Sequence, residues 1–232
     1  EGAGHAHQET TSEAGGGVVA HGPGRESRIN RVDHTTGLLR RAVGSTGRPI
    51  GGIAGNDMNS TVLILPGIGN SDPEHWQSRW EKANPAFVRV QQNDWDRAVC
   101  EEWLVVLENF AARAGTHVVL VAHSLACILV AHWASSSNQK IKSALLVAPP
   151  NPDGPGFPQA AVGFSPFPSR PLPFPNIVVA STNDPYGSLE FARSTAAAWG
   201  SRFVNIGAAG HINSSSGLGD WDEGYSLLQQ LC

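Results

Sequence analysis

Apolar residues in this chain gather into short continuous runs rather than alternating stripes. Residues 61–65, 118–122, 143–148 and 177–181 are such runs, each too short for a helix, and residues 87–91 and 203–206 are strand-like stretches interrupted by Arg89 and Asn205. Continuous apolar runs of this length predict strands buried on both faces, as in parallel sheets. Between them the period changes to that of helices. Ser71 or Asp72 can cap a helix with Pro73 at its first position, carrying His75, Trp76 and Trp80 and ending near Ala83. Asp96 is placed to cap a longer helix with Val99, Trp103, Leu107 and Phe110 on one face, stopped by Gly115. A near-continuous apolar segment follows residue 124, a helix runs through Phe191 and Trp199, and residues 222–231 read as a closing helix. Strand and helix alternation predicts an α/β fold of three layers, a mostly parallel sheet with helices on both faces.

Right-handed crossovers put the C-terminal ends of parallel strands along one sheet edge, where such folds bind their ligands. The residues that immediately follow the strands include Pro66-Gly67-Ile68-Gly69-Asn70-Ser71, Ser124, Asp184 and His211. Residues 149–175 break the pattern. They are rich in proline, with Phe157, Phe164, Phe167 and Phe174 interleaved. A long loop inside a compact domain points to function, here a semi-rigid loop over a substrate cleft; the competing reading is a proline-rich peptide ligand.

Residues 1–57 differ from the rest. They contain no Phe, Trp or Tyr and are punctuated by glycine, so they cannot bury enough apolar surface to offset the entropy of ordering. They are expected to be a disordered or non-native leader, with Met58, the single methionine, opening a domain of residues 58–232. His5 and His7 in that segment read as low-complexity residues rather than metal ligands.

Composition narrows the function classes. The chain has 232 residues, 16% charged and 41% hydrophobic, with a formal net charge of -4. No basic run suggests a nucleic-acid surface, and no apolar stretch is long enough for a membrane span. No secretory signal is visible, and Cys100, Cys127 and Cys232 lack the spacing of a zinc site or disulfide framework. A reducing, cytoplasmic setting is the expectation.

The chemistry centres on Ala122-His123-Ser124-Leu125-Ala126. A serine on a tight strand-to-helix turn needs small residues two positions before and after it, because the backbone there folds close upon itself. Serine becomes a nucleophile only when a base takes its proton, and the base needs a carboxylate to orient it. Ser124, Asp184 and His211 occur in the nucleophile, acid, histidine order of the α/β-hydrolases, each at the end of a strand. The remaining candidates fit less well. His123 should point away from the serine, His117 lies at the opposite edge, and His132 sits two turns along the buried helix. His75 reads as packing or cleft-lining. Asp94 and Asp96 come too early in the chain, and Asp220 and Asp222 have capping as their plainer explanation. An oxyanion needs two converging N–H donors. Leu125 at the helix start and Ile68 after Gly67 are the expected pair. Gly67, Asn70, His75 and Trp76 are expected to line the cleft.

Several of these motifs occur together and in order: Pro66 to Ser71 with His75-Trp76, Ala122 to Ala126, Leu172 to Pro175 with Ser181 to Tyr186, and Gly210 to Asn213 with Ser216-Gly217 and Trp221. In this they resemble the small serine hydrolases related to retinoblastoma-binding protein 9, most closely the bacterial predicted esterases. The resemblance spans about residues 60–232. It implies an α/β-hydrolase without a large lid domain, with Ser124 as nucleophile, Asp184 as acid and His211 as base. The chain departs from the wider superfamily in carrying alanine where the elbow commonly has glycine. The expected activity is cleavage of small carboxylic esters, or amides, through an acyl-enzyme, with no metal or organic cofactor. A protein-interaction module on the same scaffold, or acyl transfer by the same residues, are the alternatives.

Overall fold

The computed structural model describes residues 60–232. The expected leader, residues 1–57, lies outside the described residues, as do Met58 and the histidines at 5 and 7. Six strands form one parallel sheet: β1 (Thr61–Leu65), β2 (Phe87–Arg89), β4 (Val118–His123), β5 (Ser143–Val147), β7 (Asn176–Ala180) and β8 (Arg202–Asn205), in the order β2-β1-β4-β5-β7-β8. The order reverses direction at β1, so the loops after β1 and β4 flank the switch point where a crevice opens.

The sheet is buried on both faces, and side-chain parity divides the core in two. Leu63, Leu65, Leu120, Leu146 and Val178 point toward helices α2 (Cys100–Ala114), α3 (Leu125–Ser136) and α4 (Leu189–Trp199). Val62, Ile64, Val119, Val121, Leu145 and Val179 point toward α1 (Trp76–Ala83) and α5 (Asp222–Gln229). This is the three-layer α/β-hydrolase arrangement, and among the described residues there is no large lid domain. Helix α3 is buried almost all round, which explains why its sequence carries no polar stripe. No helix among the described residues is long and apolar enough to cross a membrane.

Two helix starts differ from expectation. Helix α1 begins at Trp76 rather than Pro73, and its cap is His75, whose Nδ1 accepts the Gln77 amide. The Asp72 carboxylate is spent one step earlier, accepting the Glu74 and His75 amides in a turn. Helix α2 begins at Cys100, and Asp96 does not cap it. Ala98–Val99 instead form β3, paired in parallel with β6 (Ala161–Val162) in a separate two-stranded sheet. A strand pairing with a partner some sixty residues away overrides the local capping signal. Strand β2 is also shorter than the expected residues 87–91, ending at Arg89.

That second sheet anchors residues 149–175. Phe164 and Phe174 are buried in the core, and Phe157 and Phe167 pack against it. The His132 Nε2–H donates to the Phe164 carbonyl at 3.1 Å, and the Trp199 indole donates to the Pro168 carbonyl at 2.7 Å. The aromatic residues of this segment therefore hold it to the domain rather than offering themselves to a partner.

Tryptophans fill the other face. Trp76, Trp80 and Trp221 pack together, Trp80 stacked on Trp221 with ring centroids 5.9 Å apart. Gly224 in α5 lies against this cluster, and a Cβ there would fall 2.3 Å from the Trp221 ring. In an exposed helix, replacing glycine by alanine gains about 1 kcal/mol. Here the sign is expected to reverse: Gly224→Ala should lower stability by about 1–3 kcal/mol through overpacking, measured by urea denaturation.

Candidate active site

The site assembles at the C-terminal edge of the sheet from four loops. Strand β4 ends at His123, and Ser124 takes φ 56° and ψ -126°, a left-handed conformation that non-glycine residues adopt only under constraint. The constraint is visible. The Ser124 amide donates to the Val147 carbonyl at 2.9 Å, and the buried Ala122 and Ala126 leave room for the turn. The loop after β1 presses against the elbow: a Cβ on Gly67 would lie 2.9 Å from the Ser124 Cβ and 3.1 Å from the His123 carbonyl oxygen. Gly67 is thus required by close approach rather than by its dihedral angles, and it packs under the site instead of lining the cavity.

Ser124, His211 and Asp184 are brought into one chain of hydrogen bonds. The Ser124 Oγ lies 2.8 Å from His211 Nε2, and His211 Nδ1 lies 2.9 Å from each Asp184 carboxylate oxygen. The Nδ1–H donates to the carboxylate, which leaves Nε2 free to accept from the serine hydroxyl. Both side chains are shielded, His211 at 9% and Asp184 at 3% exposure.

The two loops bearing His211 and Asp184 are stitched together by side chains. The Ser181 Oγ accepts the Ala209 amide at 2.9 Å and donates to Asn183 Oδ1, which also accepts the Gly210 amide at 2.7 Å. Below His211, the His123 Nε2–H donates to the His211 carbonyl at 2.9 Å and the Trp76 indole donates to the Ile212 carbonyl at 2.8 Å. Ser216 Oγ donates to the Ala209 carbonyl at 2.6 Å. Two expectations change accordingly. His123 leaves the strand on the face opposite α3, but that face carries the underside of the His211 loop, so it supports the site. Trp76 props the same loop from beneath and does not line the cleft.

A cavity of about 350 Å³ opens above Ser124. Asn70 and His75 line it as expected, joined by Ile68, Leu125, Asp72, Asn213, Ser214 and Ser215, and by Pro150, Pro158 and Tyr186. Among the described residues, neither the Leu125 nor the Ile68 amide has a protein acceptor. Leu125 begins α3, where orphan amides and the helix dipole favour negative charge. Gln77, absent from the sequence reading, fixes this edge. Fully buried, it donates to the Leu65 and Val121 carbonyls and accepts from the Ser71 hydroxyl. Its place in an amphipathic helix gave no sign of that role.

Fold and site together define a serine hydrolase of the α/β-hydrolase superfamily. The serine hydrolase family model matches residues 62–230, and the chain belongs to that family. Among solved structures, it is similar to a YdeN-like hydrolase of Pectobacterium atrosepticum, at 32% identity and a TM-score of 0.66 over 74% of this chain and 89% of that one. The ydeN gene product of B. subtilis shares the fold at 19% identity and a TM-score of 0.63, covering 74% of this chain and 98% of its own. A thermophilic esterase from Thermogutta terrifontis does so at 16% identity and 0.53, over 73% and 88%. No curated protein matches the chain.

Burial also sets the charge of the histidines around the site. His75 is 3% exposed, and desolvation pushes its pKa down to about 4. His123 lies well below the ordinary value for the same reason. Folding therefore favours neutral His75. That contribution is complete above the unfolded value near 6.5, is lost as pH falls toward 4, and is constant below. Its size is about 3 kcal/mol. Between pH 7 and pH 4.5, wild type should lose about 2–3 kcal/mol more of its urea-unfolding free energy than His75→Phe does. Equal losses in the two proteins would show that His75 titrates normally.

Proposed function

We propose that the protein hydrolyses small carboxylic esters, and amides of like size, through a covalent acyl-enzyme. The observation that carries this reading is the unbroken hydrogen-bonded chain Ser124–His211–Asp184, whose Ser124 and His211 line the cavity. Ser124 Oγ attacks the carbonyl carbon as its proton passes to His211 Nε2. The Asp184 carboxylate, on Nδ1–H, keeps the ring in the tautomer that accepts there and stabilises the imidazolium formed. The oxyanion of the tetrahedral intermediate is held by the Leu125 and Ile68 amides. His211 returns its proton to the departing alkoxide or amine, leaving the acyl group on Ser124. A water then attacks, deprotonated by His211, and the carboxylic acid leaves as Ser124 regains its proton. Each proton taken is given back, so the cycle needs no cofactor.

The cavity volume sets the size class. About 350 Å³ is near the lower limit for small-molecule sites, and Pro150, Pro158 and Tyr186 close one side of it. Long acyl chains have no space there unless residues 149–175 move.

Labelling with a fluorophosphonate tests the reading directly. The wild-type protein should label rapidly at Ser124, Ser124→Ala should not label, and His211→Ala should label far more slowly. Hydrolysis of p-nitrophenyl acetate should fall by about 10⁴-fold in kcat/KM in Ser124→Ala. Folded wild type that resists labelling would sink the proposal, and labelling that persists in Ser124→Ala would move the nucleophile elsewhere.

A further inference from the structure

The cavity has two unlike walls. Pro150, Pro158 and Tyr186 form one, tied together where the Asn151 amide donates to the Tyr186 carbonyl at 2.8 Å. The opposite wall joins the loop after β1 to the segment after His211. Ser214 Oγ donates to Asp72 Oδ2, and Asp72 Oδ1 accepts the His75 amide at 3.2 Å. Asn70, Asn213 and Ser215 complete this wall, which offers hydroxyl, amide and carboxylate groups.

Two features of the polar wall restrict what can sit on it. The first is an unused donor. His75 Nδ1 accepts the Gln77 amide, so in the neutral ring the hydrogen is on Nε2, and that buried atom has no partner among the described residues. A buried donor without an acceptor is costly; His75 lines the cavity, so a ligand group that displaces the side chains covering Nε2 would satisfy it. The second is charge. Asp72 carries the wall's formal charge, held ionised chiefly by the Ser214 hydroxyl. Among the described residues lining the cavity there is no lysine or arginine. Arg89 reaches Asn70 Oδ1 but is committed to Glu81, Ser78 and the Ser71 carbonyl.

Resting on the hydrolase reading above, we infer that this wall is the leaving-group subsite and that it selects esters of uncharged, hydroxyl-bearing alcohols against esters of anionic ones. The side follows from the chemistry: His211 must hand its proton to the leaving oxygen, and Asn213 to Ser215 lie two to four residues after it in the same loop. A polyol hydroxyl accepts from His75 Nε2–H while donating to the Asp72 carboxylate. A carboxylate or phosphate on the leaving group could accept from His75 but would face Asp72 with no cation to offset the repulsion. A polyol such as glycerol and a sugar present the same hydroxyls, and the acyl portion lies against the proline wall.

Three acetate esters of similar size separate the contributions: 1-acetylglycerol, propyl acetate and O-acetyl-lactate, each kcat/KM divided by the ester's hydroxide-catalysed rate. The expected order is acetylglycerol, then propyl acetate, then acetyl-lactate, with about tenfold or more between first and last. Asp72→Asn keeps the shape and the acceptor oxygen but removes the charge, and should narrow the glycerol-to-lactate ratio by about tenfold. His75→Phe should lower the glycerol-to-propyl ratio by about threefold to tenfold, with His75→Gln recovering part of it. Ratios within one variant cancel any general loss of activity or folded fraction. Equal normalised rates for all three esters, or an Asp72→Asn protein with an unchanged glycerol-to-lactate ratio, would overturn the inference. Fluorophosphonate labelling of the same samples separates the two levels: labelled protein without selectivity defeats only the subsite, whereas folded protein that does not label defeats the hydrolase reading.

Discussion

A hydrogen bond of 2.8 Å between two side chains 87 residues apart, Ser124 and His211, is the contact the rest of the site serves. Neither partner is in regular structure that would fix it alone. Ser124 occupies a strained turn, and His211 lies in a loop containing Gly207 and Gly210 at positive φ. Both positions are set by surroundings that leave little choice. Gly67 closes on the elbow from one side, and the Val147 carbonyl holds its amide from another. The histidine loop is pinned on its amides by Ser181 and Asn183 and on its carbonyls by His123, Trp76 and Ser216. Each of these bonds is worth only about 0.5–1.5 kcal/mol net, but each also prevents a buried polar group from going unmatched. The loop is thus held in one position, which is what the proposed role of His211 as general base requires.

The features legible in the sequence were those with a local or strictly periodic cause. Apolar runs are continuous because both sheet faces are buried, so the strands could be read without knowing their partners. Chain order and strand ends located Ser124, Asp184 and His211 because right-handed crossovers leave little freedom about which edge a loop occupies. What could not be read was non-local. Asp96 looked like a helix cap, but the pairing of residues 98–99 with 161–162 held the chain extended and delayed the helix. Pro73 looked like a first helical residue, but Asp72 turned its carboxylate on the next two amides and His75 became the cap. Parity predicted only that His123 points away from Ser124; it could not say that the histidine loop folds against the His123 side chain. Gln77 illustrates the same limit, since the Leu65 and Val121 carbonyls it satisfies belong to two separate strands.

The proline and phenylalanine segment shows how a compositional signal divides between roles. Its phenylalanines face the core and its backbone is held by His132 and Trp199, so most of the segment is structure. Two prolines reach the cavity. Proline suits that position: it needs no partner for a backbone donor and loses little entropy on ordering. A wall built this way stays apolar, held by the core phenylalanines and the two-stranded sheet of the same segment, and the cavity stays small.

Charge completes the design. Three imidazoles stand in a row, with His75 and His123 4.7 Å apart and His123 and His211 4.9 Å apart between ring centroids. In the proposed mechanism only His211 becomes cationic, and a charge on either neighbour would oppose that step. Burial keeps both neighbours neutral through the physiological range, so they act as donors and packing surfaces without competing for the proton. His211 alone meets a carboxylate, through Asp184 at its Nδ1. Desolvation therefore takes His75 and His123 out of any competition for that proton, while the Asp184 carboxylate on Nδ1 leaves His211 Nε2 facing the Ser124 hydroxyl.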